Sequence, residues 1–255
     1  MNFKPKIEKS SKIDSSVVLG ENNYIGHNTI IKGPVIIGDN NYIGHNVVIG
    51  EISQHSYDKY ELNGFNFNAK DSKIVIGSNN VIREFSTVHQ PMNDLTRIQD
   101  NCYLMAYNHI PHDADISNNV ILSNNCQIGG HSHIHEYANI GLSSVLHQKT
   151  TIGAYSMIGM GSIVTKDIPP FLVAVGSPAK SVSKINEWGM KRYNFSEKDI
   201  DLINSFYWDA NNDSNVLIQD TKIFKFFKNF YKSKRRNSIY IKDGFEAKIS
   251  LIMEQ

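Results

Sequence analysis

The residues best suited to chemistry lie close together in the sequence. Segment Asn108–Asp113 reads Asn-His-Ile-Pro-His-Asp, which places two histidines near a carboxylate. Histidine can serve as a general base near neutral pH because its unperturbed pKa is about 6.5. A neighbouring carboxylate can orient the ring and stabilise its charged form. We therefore expect His112 to act as a general base and Asp113 to orient it.

A glycine-rich segment follows at a spacing that brings it to the same place. Gly129–His131 reads Gly-Gly-His, and Gly130 comes 18 residues after His112. If 18 residues form one coil of a solenoid, Gly130 lies beside His112 on the next coil. A glycine amide there can donate to a developing oxyanion. A base, an orienting carboxylate and an oxyanion donor together predict acyl transfer to a hydroxyl or an amine.

A period of six residues identifies the element that positions these side chains. Aliphatic residues recur at every sixth position in three runs, which begin at Ile13, Ile76 and Ile98, and the third run continues to Val164. The fifth place of each hexad is usually small, and the second is often glycine. Neither an α-helix, with a period of about 3.6, nor an alternating strand produces this pattern.

The hexads predict an all-β solenoid, namely a left-handed parallel β-helix of hexapeptide repeats with a smaller C-terminal α-helical region. The aliphatic residue would point into a triangular prism, and the small residue would fit beside a corner. The second-place residue would ease the turn. Three hexads would close one coil. We assign residues 1–180 to the β-helix domain and residues 181–255 to the helical domain.

Two interruptions of the period predict loops that leave the prism. They are Ile52–Lys73, with its central part Ser53–Asp71, and Gln90–Thr96. Excursions from a rigid scaffold are common binding sites. We therefore expect both loops to contribute to specificity.

Beyond the prism the pattern becomes helical. Ser196 and Asp199 form the start of a capping box. Segment Thr221–Ser233 alternates lysines with aromatic residues, which predicts an amphipathic helix. Its lysines continue into Lys234–Arg236. This basic run is either the solvated face of the helix or a docking surface for an acidic partner.

Composition narrows the class of protein. Lysine and arginine total 26 against 25 aspartates and glutamates, so overall charge does not indicate a nucleic-acid partner. No apolar run reaches the roughly 20 residues that cross a bilayer. Segment Met1–Lys12 lacks the apolar core of a secretory signal. The two cysteines, Cys102 and Cys126, occupy the fifth place, so we interpret them as core residues in a protein of the reducing cytoplasm.

Motifs spread over most of the chain resemble one family. They are Ile49–Glu51, Ile82–Glu84, His109–Asp113, Asn124-Asn125, Gly129–His131, Val145–Gln148, Asp167–Pro170, Asn186, Gly189–Arg192 and Phe195-Ser196. The most specific part is the histidine–aspartate corner joined to His147-Gln148 and to the Lys191-Arg192 helix. Together they resemble the acyl-[acyl-carrier-protein]–UDP-N-acetylglucosamine O-acyltransferase family, which belongs to lipid A biosynthesis.

The resemblance implies a role for each candidate site residue. His112 would be the general base, Asp113 would polarise it, and Gly130 would offer its amide to the oxyanion. The remaining residues would bind substrate. His109, His131 and His147 would line a cleft between subunits, and Gln148 would contact the acyl chain or sugar. Asn186 and Arg192 would meet the nucleotide or the phosphopantetheine arm, and Met160 would lie at the end of the acyl slot and favour a shorter chain.

The resemblance also implies the partners. The donor would be a (3-hydroxy)acyl group on the phosphopantetheine of acyl-carrier protein, with a coenzyme A thioester as the alternative. The acceptor would be a UDP-sugar such as UDP-N-acetylglucosamine, and the assembly a homotrimer. No bound cofactor and no metal are expected.

Two loops depart from the family pattern. His89–Met92 reads His-Gln-Pro-Met where the family has His-Arg-Gly-Thr, and His55–Tyr60 replaces Gln-Asp-Leu-Lys-Tyr. The family recognises sugar and acyl groups with these loops. A second hypothesis is therefore a paralogue that transfers an acyl or acetyl group to a nucleotide-linked amino sugar of a surface glycan. A non-enzymatic scaffold is the third.

Other histidines have simpler interpretations. A zinc site needs three converging imidazoles and an open position, and the spacing of His109 and His112 does not favour one. We interpret the following as surface residues: His27, His45, His55, His133 and His135.

Overall fold

Short parallel strands make up most of the fold. The computed structural model describes residues 4–54, 73–93, 95–208, 222–234 and 238–239. In chain order the strands are β1 (Lys6–Ile7), β2 (Lys12–Ile13), β3 (Val17–Leu19), β4 (Tyr24–Ile25), β5 (Ile30–Ile31), β6 (Val35–Ile37), β7 (Tyr42–Ile43), β8 (Val48–Glu51), β9 (Lys73–Ile76), β10 (Val81–Ile82), β11 (Thr87–His89), β12 (Leu95–Ile98), β13 (Tyr103–Leu104), β14 (His109–Ile110), β15 (Asp115–Ile116), β16 (Ile121–Leu122), β17 (His133–Ile134), β18 (Asn139–Ile140), β19 (Val145–Leu146), β20 (Thr151–Ile152), β21 (Met157–Ile158), β22 (Ile163–Val164), β23 (Leu172–Val175) and β24 (Lys180–Ile185). The described helices are α1 (Glu187–Arg192), α2 (Glu197–Trp208) and α3 (Phe224–Ser233).

Three parallel sheets form the sides of the prism. Sheet A has the order β1-β4-β7-β10-β13-β16-β18-β21-β23-β24, and sheet C the order β3-β6-β9-β12-β15-β17-β20. Sheet B contains β2-β5-β8-β11-β14, and bridges through Gln127 continue it to β19 and β22. Strands one coil apart pair in register, as in Ile25 with Ile43 and Leu122 with Ile140. The first-place aliphatics fill the core, so the predicted hexapeptide β-helix is confirmed.

The corners turn at the fourth place of the hexad, not at the second. Asn22, Asn28 and Asn40 have φ angles of 56°, 57° and 57°. Asparagine tolerates this left-handed region better than most residues. The second-place glycines serve another purpose, because a Cβ on Gly26 would lie 2.6 Å from the carbonyl carbon of Gly44. The expectation that the second place eases the turn is therefore wrong: glycine there lets successive coils stack closely.

Buried polar side chains at the fifth place tie the coils together. Asn41 Oδ1 accepts from the Asn80 amide at 2.9 Å, and Asn80 Oδ1 accepts from the Cys102 amide at 2.8 Å. Cys126 receives the same bond from Asn108 Oδ1 at 2.8 Å. Burial raises the pKa of the Cys102 thiol to about 12 and that of Cys126 to about 11. Both thiols are free and buried, which confirms their interpretation as core residues.

The two interruptions have different outcomes. Most of the first, residues 55–72, lies outside the described residues. The second is shorter than predicted, because Leu95 and Thr96 already belong to β12, where Thr96 pairs with Ile74 and is fully buried. The prediction of a loop through Thr96 is wrong at that end. The excursion reduces to the turn that follows His89.

The C-terminal elements cover the end of the prism. Strand β24 runs antiparallel to β23 and leads into α1. Tyr207 of α2 donates to the Pro170 carbonyl at 2.6 Å, and Phe226 of α3 packs against Tyr155 and Phe171. These buried aromatic contacts fix the helices to the last coils. The domain boundary at residue 180 remains a prediction.

Local helix predictions agree with the structure. The Ser196 amide donates to Asp199 Oδ2 at 3.1 Å, and the Asp199 amide donates to Ser196 Oγ at 3.2 Å, which is the reciprocal bonding of a capping box. Helix α3 buries Phe226, Phe227 and Phe230 and exposes lysines, as an amphipathic helix does. No helix in the described ranges is long and apolar enough to cross a membrane.

Candidate active site

His112 and Asp113 form a hydrogen-bonded dyad at the corner between sheets B and C. His112 Nδ1 lies 2.9 Å from Asp113 Oδ2, and both side chains are almost fully buried. An ionised carboxylate only accepts hydrogen bonds, so Nδ1 is the donor and carries the proton. The lone pair of the neutral ring is then on Nε2. This is the arrangement expected of a histidine base and its orienting carboxylate.

The turn after His89 holds the carboxylate in place. The Met92 amide donates to Asp113 Oδ2 at 3.1 Å, and the Asn93 amide donates to Oδ1 at 3.0 Å. The Asp113 amide donates to Thr96 Oγ1 at 2.9 Å. Two backbone donors favour the charged carboxylate. The sequence gives no sign of this role of Met92 and Asn93, because a backbone amide leaves no signal in the residue type.

Gly130 lies against the ring of His112, as the spacing predicts. A Cβ at this position would lie 2.5 Å from His112 Cε1 and 2.6 Å from Nε2. The Gly130 amide has no protein acceptor within the described part of the chain. His131 completes the corner: its Nε2 is 3.8 Å from Asp113 Oδ2, and its ring meets that of His112 edge to face at 5.1 Å.

A second pair of histidines lies next to the dyad on sheet B. His109 Nδ1 is 2.8 Å from Thr87 Oγ1, and its ring packs edge to face on His89 at 4.8 Å. Burial, with His89 and His112 nearby, lowers the pKa of His109 to about 4. Burial also lowers the pKa of His89, whose Nδ1 has no partner among the described residues. His89 is not among the site residues predicted from the sequence. The coil from Thr87 to its partner His109 has 22 residues rather than 18, so the regular spacing does not place His89 beside His109.

His147 and Gln148 stack on the coil after Gly130. His147 Nδ1 lies 3.1 Å from the Gln148 carbonyl oxygen, and the Lys149 amide donates to the Gly130 carbonyl at 2.8 Å. The structure thus brings together the third-place residues of three coils, His112, Gly130 and Gln148, in one column. This column and its neighbours form a continuous polar surface.

Three predicted site residues lie elsewhere. Met160 is 74% exposed at the corner between sheets A and B. Asn186 and Arg192 line a cavity of about 220 Å³ beside sheet A, together with Trp188 and Tyr193. The structure does not bring these residues to His112 within one chain.

Asn186 has a clear structural task. Its Oδ1 accepts from the Gly189 amide at 3.1 Å and caps α1, while its Nδ2 donates to the Tyr155 carbonyl at 2.8 Å. The Arg192 guanidinium lies 5.7 Å from the Trp188 ring and 5.8 Å from the Tyr193 ring, within cation–π range. Asn186 therefore positions the helix that presents Arg192.

In the part of the chain that the structure describes, the dyad and His131 together form a group that could hold a metal ion. Ligand atoms of His112, Asp113 and His131 all lie within 4.8 Å of one another. A cation there would compete with the bonds that Asp113 already accepts from the Met92 and Asn93 amides. The observed donors fit an ionised carboxylate that orients a base.

The remaining histidines divide into two groups. His27 and His45 stack at 5.5 Å on a corner near the N-terminal end. His135 is buried and stacks on His133 at 4.0 Å, so the surface interpretation is wrong for His135. Its ring packs between the prism and α3. His55 lies outside the described residues.

Replacement of Gly130 by alanine tests the packing of the dyad. The added Cβ must displace the His112 ring, so we expect acyl transfer to fall by about ten- to a hundredfold, because small misplacements of reacting groups are costly. Steady-state turnover and the unfolding temperature measure the two effects. Gly159→Ala is the matched control, since its Cβ would meet mainly the Val175 side chain. Equal turnover of Gly130→Ala and wild type would contradict the prediction.

Comparisons with known proteins agree with this geometry. The family described as bacterial transferase hexapeptide (six repeats) matches residues 16–51, and that described as UDP N-acetylglucosamine O-acyltransferase, domain 2, matches residues 167–238. The acyl-[acyl-carrier-protein]–UDP-N-acetylglucosamine O-acyltransferase of Saccharophagus degradans is 43% identical over 205 residues, which is 79% of this chain and 76% of that protein. The same-named protein of Paraburkholderia phymatum is 40% identical over 139 residues, 53% of each chain.

Solved structures show the same fold. The UDP-N-acetylglucosamine acyltransferases of Campylobacter jejuni and Bacteroides fragilis each superpose with a TM-score of 0.77 at 26% identity, covering 92% of this chain and 100% of theirs. The chain therefore belongs to the acyl-[acyl-carrier-protein]–UDP-N-acetylglucosamine O-acyltransferase family and is an acyltransferase.

Proposed function

We propose that the protein transfers an acyl group from acyl-carrier protein to a UDP-sugar such as UDP-N-acetylglucosamine, with His112 as general base. The dyad packed against Gly130 is the observation that carries this proposal. The names of the relatives supply the donor and acceptor classes. The geometry of the dyad and Gly130 supports the roles proposed for these residues.

The dyad supports the following reaction. His112 Nε2 takes the proton of the acceptor hydroxyl as the oxygen attacks the thioester carbonyl carbon. The tetrahedral oxyanion accepts from the Gly130 amide. Collapse breaks the carbon–sulfur bond, and the imidazolium returns its proton to the departing phosphopantetheine thiolate. Asp113 stays ionised throughout and stabilises the charged ring.

The surrounding residues suit polar substrate groups. A neutral His109 both donates and accepts hydrogen bonds, which matches sugar hydroxyls. His131, His147 and Gln148 extend this polar surface along the next two coils. If Met160 lies at the end of the acyl slot, as the resemblance implies, a side chain larger than glycine there would favour a shorter acyl chain.

A homotrimer would complete the site. Asn186 and Arg192 line a cavity at sheet A, whereas the dyad lies between sheets B and C. One chain therefore presents two separate parts of the predicted site. A cyclic assembly that sets sheet A of one subunit beside sheet B of the next would join them. Exposed apolar side chains of sheet B and its corner would be covered in that contact: Leu142, Val145 and Ile163.

The exposed lysines in and beside α3 suit an acidic donor protein. Lys222, Lys225, Lys228 and Lys232 are all exposed, and Lys234 follows them. A carrier protein is strongly acidic, so this basic face would steer its docking. Arg235 and Arg236 extend the run in sequence but lie outside the described residues.

One observation keeps the second hypothesis open. Segment His89–Met92, which departs from the family pattern, contacts both groups: the Met92 amide donates to Asp113, and the His89 ring packs on the His109 ring. A change at this place alters the surroundings of the acceptor. Acyl or acetyl transfer to a nucleotide-linked amino sugar would use the same base with an amine as nucleophile, from a carrier or coenzyme A thioester.

Replacement of His112 by alanine tests the base. We expect turnover to fall by about two to four orders of magnitude, because general-base catalysis contributes about that much. Product formation is measured by mass spectrometry with UDP-N-acetylglucosamine and with a UDP-linked amino sugar. His27→Ala, on an exposed corner, is the control. Survival of turnover in the His112 variant would remove the proposed base, and the acceptor that reacts decides between O- and N-acylation.

Charge reversal of Lys234, Arg235 and Arg236 to glutamate tests carrier docking. We expect the KM for acyl-carrier protein to rise several-fold because the acidic carrier would be repelled. The KM for a coenzyme A thioester should stay unchanged. Steady-state kinetics with both donors measure this difference. Equal changes for the two donors would rule out a carrier-specific role of the basic run.

Mixing two inactive variants tests the shared site. After subunit exchange between His112→Ala and Arg192→Ala proteins, some trimers have an intact His112 facing an intact Arg192. Random mixing should restore about a quarter of wild-type activity if each site takes one residue from each neighbour. Mass photometry measures the assembly and a turnover assay measures recovery. No recovery in confirmed mixed trimers would place both residues in the site of a single chain or outside it.

A further inference from the structure

A second cavity, of about 580 Å³, lies on sheet C beneath α3. The dyad and the cavity lie at opposite ends of β15: Asp113 precedes this strand, whereas Ser117, which lines the cavity, follows it. Its size is that of pockets that take small organic ligands, about 300–1,000 Å³. The acyl-transfer scheme above does not use it.

Cationic side chains dominate its charge. Arg97, Lys225 and Lys232 line the cavity, and Glu136 is the carboxylate among the lining residues. Across the described ranges, no carboxylate lies within 4.0 Å of the Lys225 or Lys232 ammonium group. Asp115 pairs with Arg97, so three cations face two carboxylates, and this smaller excess of positive charge still favours an anion.

The guanidinium and the imidazoles are held before any ligand arrives. Arg97 Nε donates to Asp115 Oδ1 at 2.9 Å, and the same carboxylate accepts from Nη2. Two of the five N–H donors are used in this way, which leaves others for a ligand. The His135 ring lies on that of His133 at 4.0 Å, and its Nε2 is 2.7 Å from Ser233 Oγ of α3.

Neutral amides complete the lining. Gln99, Asn118, Asn119 and Asn229 all face the cavity. An amide both donates and accepts, so it recognises hydroxyl groups rather than apolar surface. The combination of cationic groups and amides in one lining matches a phosphate that carries a hydroxylated group.

We propose that this cavity binds a phosphorylated, polyhydroxylated small molecule, with Lys225, Lys232 and Arg97 on the phosphate and the amides on the hydroxyls. Because β-strand residues form one wall and α3 the other, the ligand fastens α3 to the prism. The ligand is either a sugar phosphate or a nucleotide, which share this chemistry. The cavity contains none of the residues proposed for the reaction itself, although Lys225 and Lys232 also belong to the basic face proposed for carrier docking.

Isothermal titration calorimetry of the full chain tests the site with glucose 6-phosphate, uridine monophosphate and inorganic phosphate. We expect one of the two organic phosphates to bind at least tenfold more tightly than inorganic phosphate. Lys225→Glu and Lys232→Glu should each weaken that binding at least tenfold. Lys228→Glu, on the same helix but outside the cavity, is the matched control and should change it less than twofold.

Several results would overturn the proposal. They are the absence of binding by both organic phosphates, an affinity no better than that of inorganic phosphate, or an equal loss in the Lys228 variant. His112→Ala and Arg192→Ala separate this proposal from the proposed function, because both should lower turnover and leave the calorimetric binding unchanged. Loss of binding in either variant would assign the phosphate to the acyl-transfer site instead.

Discussion

Backbone hydrogen bonding between successive coils is the constraint on which the rest of the structure depends. Strand amides donate to carbonyls on a neighbouring coil, as Tyr24 does to Asn41 on the next coil and Leu146 does to Gln127 on the previous one. Because this ladder fixes the register, residues one coil apart become neighbours whatever their type. The chain can therefore bring His112 and Gly130 into contact without any dedicated loop. Chemistry becomes a matter of which residue occupies which place in consecutive hexads.

The corners add a second constraint. Fourth-place residues adopt positive φ angles, and the dyad corner uses two of them, with φ of 56° at Asp113 and 58° at His131. Asparagine is the commonest residue at these positions. Aspartate and histidine are among the few other residues that enter this region readily. The same backbone requirement that shapes the prism thus also admits residues able to titrate, and it points them outward at one corner.

Much of the fold followed from the sequence because a single period governs it. The hexads predicted the solenoid, the column of His112 and Gly130, and the core role of Cys102 and Cys126. What the sequence did not reveal depends on irregular coils and on backbone groups. The neighbour of His109 is offset by a 22-residue coil, so the role of His89 was hidden. Almost every residue has a backbone amide, so the residue types of Met92 and Asn93 do not reveal that their amides donate to Asp113.

The two hydrogen bonds that Asp113 accepts from backbone amides connect the turn after His89 to the His112–Asp113 dyad. The turn that follows His89 is one of the two segments expected from the sequence to depart from the family pattern, and it also orients the Asp113 carboxylate beside His112. Under the proposed mechanism, a change of sequence in this turn acts on reaction rate and acceptor choice together. Under the same mechanism, divergence toward a new acceptor is confined to turns that still present two amides in the same direction. Substrate preference would then evolve under the geometric constraint of the His112–Asp113 pair.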